Sequence, residues 1–377
     1  MSHAPRPGVW RPGVARGDRR FVELSGLPAD GLALEYGGRL PEVVVAYESW
    51  GSLNTEASNA VLVLHALTGD SHASGPPGPG HPAAGWWEGL IGPGLALDTD
   101  RYFVVCPNVL GGCQGTTGPA SFDPEGAAYG SRFPLITIRD QVAVEAGLAD
   151  ALGIGEWACI VGGSMGGMRV LEWCVGHPGR VSRAVVLAVG AAASADQIAV
   201  CSLQMRSIRS DPAFAGGDYY RTGNRPVEGL ALARGIGQVS YRTGREFDVR
   251  FGRSAQASED PLKGGRFAVE SYLEYQGEKL ARRFDPNSYI VLTEAMNLHD
   301  IGRGRGGPAR ALSGVRADVS VAGIGSDRLY PLEQQRELAR LLPGGRPVTV
   351  IESEFGHDGF LLEVDQVGAV VASALAG

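Results

Sequence analysis

The sequence has no surplus of positive charge. Its 34 Lys and Arg stand against 41 Asp and Glu, a formal net charge of −7 with a pI near 5.6. A nucleic-acid partner calls for a basic face, so that class of function is set aside. Runs long and apolar enough to cross a membrane are also missing. The first twenty residues carry Pro, Gly and five arginines but no apolar segment of a secretory signal, and residues 1–20 read as a mobile arm. Cysteine is scarce and unpaired. Cys106, Cys113, Cys159, Cys174 and Cys201 form an odd set with no C-x-x-C spacing, the pattern of reduced thiols in a cytoplasmic protein rather than of a disulfide framework. Cys159 and Cys174 sit inside apolar runs and read as packing residues, which leaves Cys113, in a glycine-rich stretch, as the one thiol to weigh as a nucleophile. Internal repeats are absent, and low complexity is confined to Gly302–Gly307, read as a hinge.

A hydrophobic content of 44% with 20% charged residues is enough for a large core. At 377 residues, one large domain with an insertion or two domains is expected. Short, wholly apolar runs recur at 43–47, 60–64, 102–106, 157–161 and 184–188. Such runs suit strands buried on both faces of a largely parallel sheet. The stretch 138–152 has helical spacing, so strands and helices alternate as in a doubly wound α/β domain. After Gly190 the pattern changes. Segments 196–210 and 268–283 have helical periodicity, and Tyr289–Leu292 reads as helix rather than strand. Strands return at 319–324 and 347–351, with a helix at 332–342 between them. The reading is a core of residues 21–190 and 307–377, interrupted by a helical lid at 191–306.

The most informative stretch is Gly162-Gly163-Ser164-Met165-Gly166. With 56 glycines in the chain a bare G-x-S-x-G could arise by chance, but here a strand-like run leads in and a helix-like run leads out. That context is the nucleophile elbow of the α/β-hydrolase fold, a sharp turn that aims a serine Oγ into a cleft. A serine hydroxyl needs a base, and the base needs an orienting acid. In this fold the chain order is Ser, then Asp or Glu, then His. Order removes His3, His65, His72, His81 and His177. His299 falls at the end of the lid, which leaves His357, on a glycine-flanked loop after the last strand. Asp327 occupies the loop after the preceding strand, whereas Asp318 opens that strand at the wrong end. Ser164, Asp327 and His357 are therefore the expected catalytic residues. For the oxyanion hole the amides of Met165 and Leu67 are expected, the latter on the loop His65-Ala66-Leu67-Thr68-Gly69 after the 60–64 strand. His65 is read as shaping that loop.

With these residues placed, the chain resembles the homoserine O-acetyltransferases. The resemblance is carried by His65–His72, Gly162–Gly167, Ala195–Ile198, Asp211-Pro212, Gly216–Tyr220, Gly264–Leu273, His299-Asp300, Ser326–Pro331 and Gly356–Leu361. It implies an α/β-hydrolase fold and a two-step transfer of acetyl from acetyl-CoA, as co-substrate, to the hydroxyl of L-homoserine, with no bound cofactor or metal. It also implies that Arg234 holds the substrate α-carboxylate and that Asp358 receives the ammonium, with Tyr241 a candidate for the pocket wall and a homodimer formed through the lid. Arginines of the Gly302–Gly307 hinge become candidates for a contact to CoA phosphates. The residues alone leave open a succinyl donor, a serine acceptor, an esterase-like hydrolase, and a catalytically silent binding module.

Overall fold

The computed structural model describes residues 15–25 and 31–376. An eight-stranded sheet forms its centre: β1 Arg20–Glu23, β2 Val44–Trp50, β3 Ala60–Leu64, β4 Phe103–Pro107, β5 Cys159–Gly163, β6 Arg183–Leu187, β7 Asp318–Ile324 and β8 Thr349–Ile351. Their spatial order is β1-β2-β4-β3-β5-β6-β7-β8. β2 runs antiparallel to both of its neighbours, and every other pairing is parallel. The continuous apolar runs have a direct cause. Leu62, Leu64, Ile160 and Val186 pack into a core on one face of the sheet, while Val61, Val63, Cys159, Val161, Val185 and Leu187 pack on the other. With both faces covered, no polar alternation can survive along these strands.

Helices α1 Ile138–Ala151 and α2 Met165–Gly176 follow β4 and β5 in the chain. A capping box starts α1: Thr137 Oγ1 accepts from the Asp140 amide, and the Asp140 carboxylate accepts from the Thr137 amide at 2.8 Å. Between β6 and β7 the chain leaves the sheet and builds α3 Ala195–Ser210, α4 Val227–Tyr241, α5 Gly244–Arg250, α6 Ala268–Arg283, α7 Pro286–Asn297 and α8 Pro308–Leu312. Ser194 and Gln197 cap α3 as a second box. Two glycines let these helices cross closely. A Cβ on Gly229 would lie 2.7 Å from the Ser207 carbonyl, and one on Gly277 would lie 2.8 Å from that of Ala231. The two ends of the helical segment are tied together where it leaves the sheet. The Ala193 amide donates to the His299 carbonyl and the Ile301 amide to that of Ala191, each at 2.9 Å. Helices α9 Leu332–Leu341, α10 Gly359–Leu362 and α11 Val364–Ala376 complete the core. Among the described residues, no single helix is long and apolar enough to cross a membrane.

The stretch expected as a mobile arm reaches the fold earlier than its sequence suggests. Residues 1–14 lie outside the described residues, but Arg19 is buried, donating to the Gly80 carbonyl and to Gln114 Oε1, each at 3.0 Å. Arg20 already belongs to β1. The antiparallel strand β1 itself carries no apolar run of its own, which is why periodicity passes over it.

Candidate active site

The serine comes first, because backbone geometry alone fixes it. Ser164 lies between β5 and α2 with φ 57° and ψ −125°, a left-handed conformation that costs about 1–3 kcal/mol for a non-glycine residue. Its neighbours make the turn possible by lacking side chains. A Cβ on Gly166 would lie 2.0 Å from the Leu64 carbonyl oxygen, and one on Gly162 would lie 2.7 Å from the Gly166 backbone. On Gly163 it would meet the Phe360 ring at 2.5 Å. Three surfaces press on the elbow: its own return, the end of the adjacent β3 and Phe360 of α10.

The ends of β7 and β8 bring in the other two groups. Asp327 sits on the loop after β7 and His357 on the loop after β8. His357 Nδ1 is 2.6 Å from Asp327 Oδ2, and its Nε2 is 2.8 Å from Ser164 Oγ. The ionised Asp327 carboxylate only accepts, so Nδ1 carries the proton and Nε2 presents its lone pair to the serine hydroxyl. The second carboxylate oxygen of Asp327 accepts from the amides of Leu329 and Tyr330 at 2.8 and 2.9 Å. The Tyr330 ring stacks on the imidazole at 4.9 Å, and Phe360 meets it at 5.4 Å. Ser164, Asp327 and His357 are all buried.

Around Oγ lies a cavity whose lining includes Leu67, Arg234, Tyr241, Tyr330 and Asp358. Leu67 belongs to the loop after β3, and Met165 is the first residue of α2. Neither amide donates to a protein acceptor among the described residues, so both are free for a bound oxygen. Arg234 projects from α4 with its guanidinium carbon 5.5 Å from the centre of the Tyr241 ring. Among the described residues no carboxylate lies within ion-pair distance of it. Asp358 differs, since Arg242 Nη1 approaches its Oδ2 at 3.4 Å. Arg242, Tyr330 and Phe360 are neighbours of the site that sequence reasoning passed over. Tyr330 and Phe360 lie within segments that carry the family resemblance and Arg242 adjoins Tyr241, but ring stacking and an ion pair between distant residues leave no pattern of their own in the sequence.

Other weighed residues fall elsewhere. Burial pushes the Cys113 thiol up to about 12, and Cys113 lines a different cavity from Ser164. Asp318 pairs with Arg346 at 2.7 Å. His299 sits where the helical segment leaves the sheet, with Nε2 3.2 Å from the Gly190 carbonyl. Arg303 and Arg305 of the glycine-rich stretch Gly302–Gly307 are spent on Glu35 and Glu172, which leaves them badly placed for phosphates. Glu48, His72 and His81 cluster closely enough to suggest metal ligands. Protein partners meet part of this set: His72 Nδ1 lies 2.8 Å from Glu48 Oε2, Ser71 Oγ donates to Glu48 Oε1 at 2.7 Å, and the Asp18 amide donates to His81 Nε2 at 3.2 Å, while His72 Nε2 and His81 Nδ1 are buried without a hydrogen-bond partner among the described residues. The cluster fastens the segment before β1 to the core.

Residues 59–364 match the family model of the alpha/beta hydrolase fold. The homoserine O-acetyltransferase of Thermobifida fusca (strain YX) is 61% identical over 382 residues, with 100% of each chain covered. The chain belongs to the homoserine O-acetyltransferase family. The crystal structure of the homoserine O-acetyltransferase from Bacillus anthracis superposes with a TM-score of 0.87 at 28% identity, covering 95% of this chain and 97% of that one. Esterase E22 gives 0.85 at 26%, covering 95% and 99%. The backbone is thus shared between acetyltransferases and esterases.

Proposed function

We propose that this protein transfers the acetyl group of acetyl-CoA to the hydroxyl of L-homoserine, giving O-acetyl-L-homoserine and CoA, with Ser164 as the temporary acyl carrier. His357 Nε2 takes the Ser164 proton as Oγ attacks the thioester carbonyl, and the amides of Leu67 and Met165 receive the oxyanion. Collapse breaks the C–S bond, and the proton passes from His357 to the departing CoA sulfur. The homoserine hydroxyl then gives its proton to His357 and attacks acetyl-Ser164. Breakdown of the second tetrahedral intermediate frees the ester and returns the proton to Oγ. Asp327 holds the imidazole in the required tautomer throughout.

The observation that carries this reading is the Ser164–His357–Asp327 chain opening into a cavity that also presents Arg234, a cation with no carboxylate partner among the described residues. A planar guanidinium suits the two oxygens of an α-carboxylate. Asp358, which lines the same cavity, suits the ammonium, and Tyr241 forms part of the wall. In this reading residues 191–306 act as the lid that keeps water from the acyl-enzyme and holds the acceptor in line. No bound cofactor is required. Exposed Leu203 and Leu232 on α3 and α4 support a homodimer formed through that lid. The absence of disulfides among the five cysteines fits a cytoplasmic setting.

The likeness to esterase E22 favours hydrolysis as the second reading. One thiol-release assay separates the two: acetyl-CoA or succinyl-CoA crossed with homoserine, serine or no acceptor. Steady CoA release only with acetyl-CoA and homoserine, and none from a Ser164→Ala variant, is the expected result. Release that continues at full rate without an acceptor would show a hydrolase.

A further inference from the structure

An oxyanion donor on a loop is useful only if the loop is held to within a few tenths of an ångström. The loop His65–Thr68 is gripped from beneath by Arg169, on α2 five residues after Ser164. Arg169 is fully buried (0% exposed). Its Nη2 donates to the His65 carbonyl, and its Nη1 donates to Glu145 Oε1 at 2.6 Å. Glu145, on α1, is buried as well, and its other oxygen accepts from Trp173 Nε1 at 2.8 Å. The elbow helix and the oxyanion loop, supplied by different strands, are thus joined through one guanidinium.

A buried ion pair needs a reason, because an apolar pair of similar volume would pack α1 against α2 at no loss of stability. What an apolar pair cannot do is hold the carbonyl of residue 65. His65 adds a second grip. Its Nε2 accepts from the Val109 amide at 3.1 Å, so Nδ1 carries the proton and points to the Ala66 carbonyl at 2.8 Å. That arrangement needs a neutral ring. Burial first and the Arg169 charge second depress His65 to about 3, so the ring stays neutral.

We propose that Arg169, backed by Glu145, is a positioning residue that sets the Leu67 amide against the Ser164 elbow and so tunes stabilisation of the oxyanion. This inference rests on the reading of Leu67 as an oxyanion donor. Arg169 touches no substrate. Its effect should therefore appear in the tetrahedral species and not in ground-state binding.

The test is the double variant Arg169→Met/Glu145→Gln, which leaves no unpaired buried charge and keeps an acceptor for Trp173. Expected is a loss of about 10²–10³-fold in first-turnover CoA release, the usual effect of losing an oxyanion donor. KM for homoserine and affinity for CoA should be unchanged, and affinity for an arylboronate that forms a tetrahedral adduct on Ser164 should fall by the same factor. A folded double variant that keeps its boronate affinity and kcat within threefold of the parent, at about the precision of such assays, would overturn the proposal. Should the double variant not fold, Arg169→Lys serves instead. Lysine keeps the charge but not the fork, and should lower kcat about tenfold at constant KM; an unchanged kcat overturns the proposal. The underlying reading has its own check in ¹⁵N-leucine-labelled parent protein. The Leu67 amide proton should move downfield in the boronate adduct. No movement rejects Leu67 as the donor, whereas movement together with an unaffected double variant rejects only the role of Arg169.

Discussion

The sheet and the helical segment between β6 and β7 build the same cavity by opposite means. In the sheet, position is set by backbone. Ser164 is fixed by glycines that touch main chain at Leu64 and Gly166, and Asp327 and His357 hang from the ends of neighbouring strands. In the helical segment, what faces the cavity is set by side chains on α3 and α4, with Arg234 and Tyr241 meeting through a cation and a ring. The contrast teaches a division of labour. In the proposed reading, the sheet supplies reactivity toward an acyl group, and the helices supply the cation that would hold the carboxylate of an acceptor.

Variants can break or sharpen that division. The largest effect is expected in the sheet. Asp327→Asn should lower kcat by about 10⁴-fold in both half-reactions, because the imidazole loses its orienting carboxylate and the correct tautomer; single-turnover acylation and deacylation rates measure it. Arg234→Met should act on one half only. First-turnover release of CoA should stay near the parent rate, while KM for homoserine rises about 10–150-fold, the equivalent of about 1.5–3 kcal/mol for a hydrogen-bonded charged group. Equal losses in both halves would erase the distinction between the two regions.

A smaller effect concerns stability. Burial is the chief cause that holds His65, on the loop after β3, near 3 and His299, at the neck of the helical segment, near 4, against 6.5 in an open chain. Between those values and 6.5 the unfolded chain binds protons that the folded chain refuses. Unfolding free energy should therefore rise with pH through that window, by about 1.4 kcal/mol per pH unit for each histidine. Urea titrations at pH 5 and 6.5 measure the slope, and His299→Gln should remove about half of this histidine contribution. The smallest effect on chemistry is expected at the outer face of the helices. Leu232→Glu should convert a dimer to a monomer by light scattering, with kcat per chain within about twofold of the parent. A dimer that survives the charge places its interface elsewhere.

Much of this was legible in the chain. The apolar runs marked the central strands because both faces of the sheet are buried, and the Ser–Asp–His order followed because the three groups sit just after β5, β7 and β8 in turn. Tyr289–Leu292 was rightly read as helix, since it lies within α7. The short β1 was not legible, as its residues alternate weakly and its place depends on pairing with β2. Nor was the burial of Arg19, whose partners Gly80 and Gln114 lie far along the sequence. Arg242 and Tyr330 escaped for the same reason: a guanidinium facing Asp358 and a ring lying on His357 are products of docking, not of spacing.

By itself, then, the sequence determined which atoms could do chemistry and in what order the sheet would present them. Backbone periodicity and glycine placement act locally, and the chain carries them openly. Only the tertiary structure decided that Arg234 lines the Ser164 cavity with no carboxylate partner among the described residues, that the arginines of the glycine-rich stretch are taken up by Glu35 and Glu172, and that Arg169 reaches the His65 carbonyl. Those outcomes depend on which long side chains meet after the helices close over the sheet, and burial, not spacing, selects the partner.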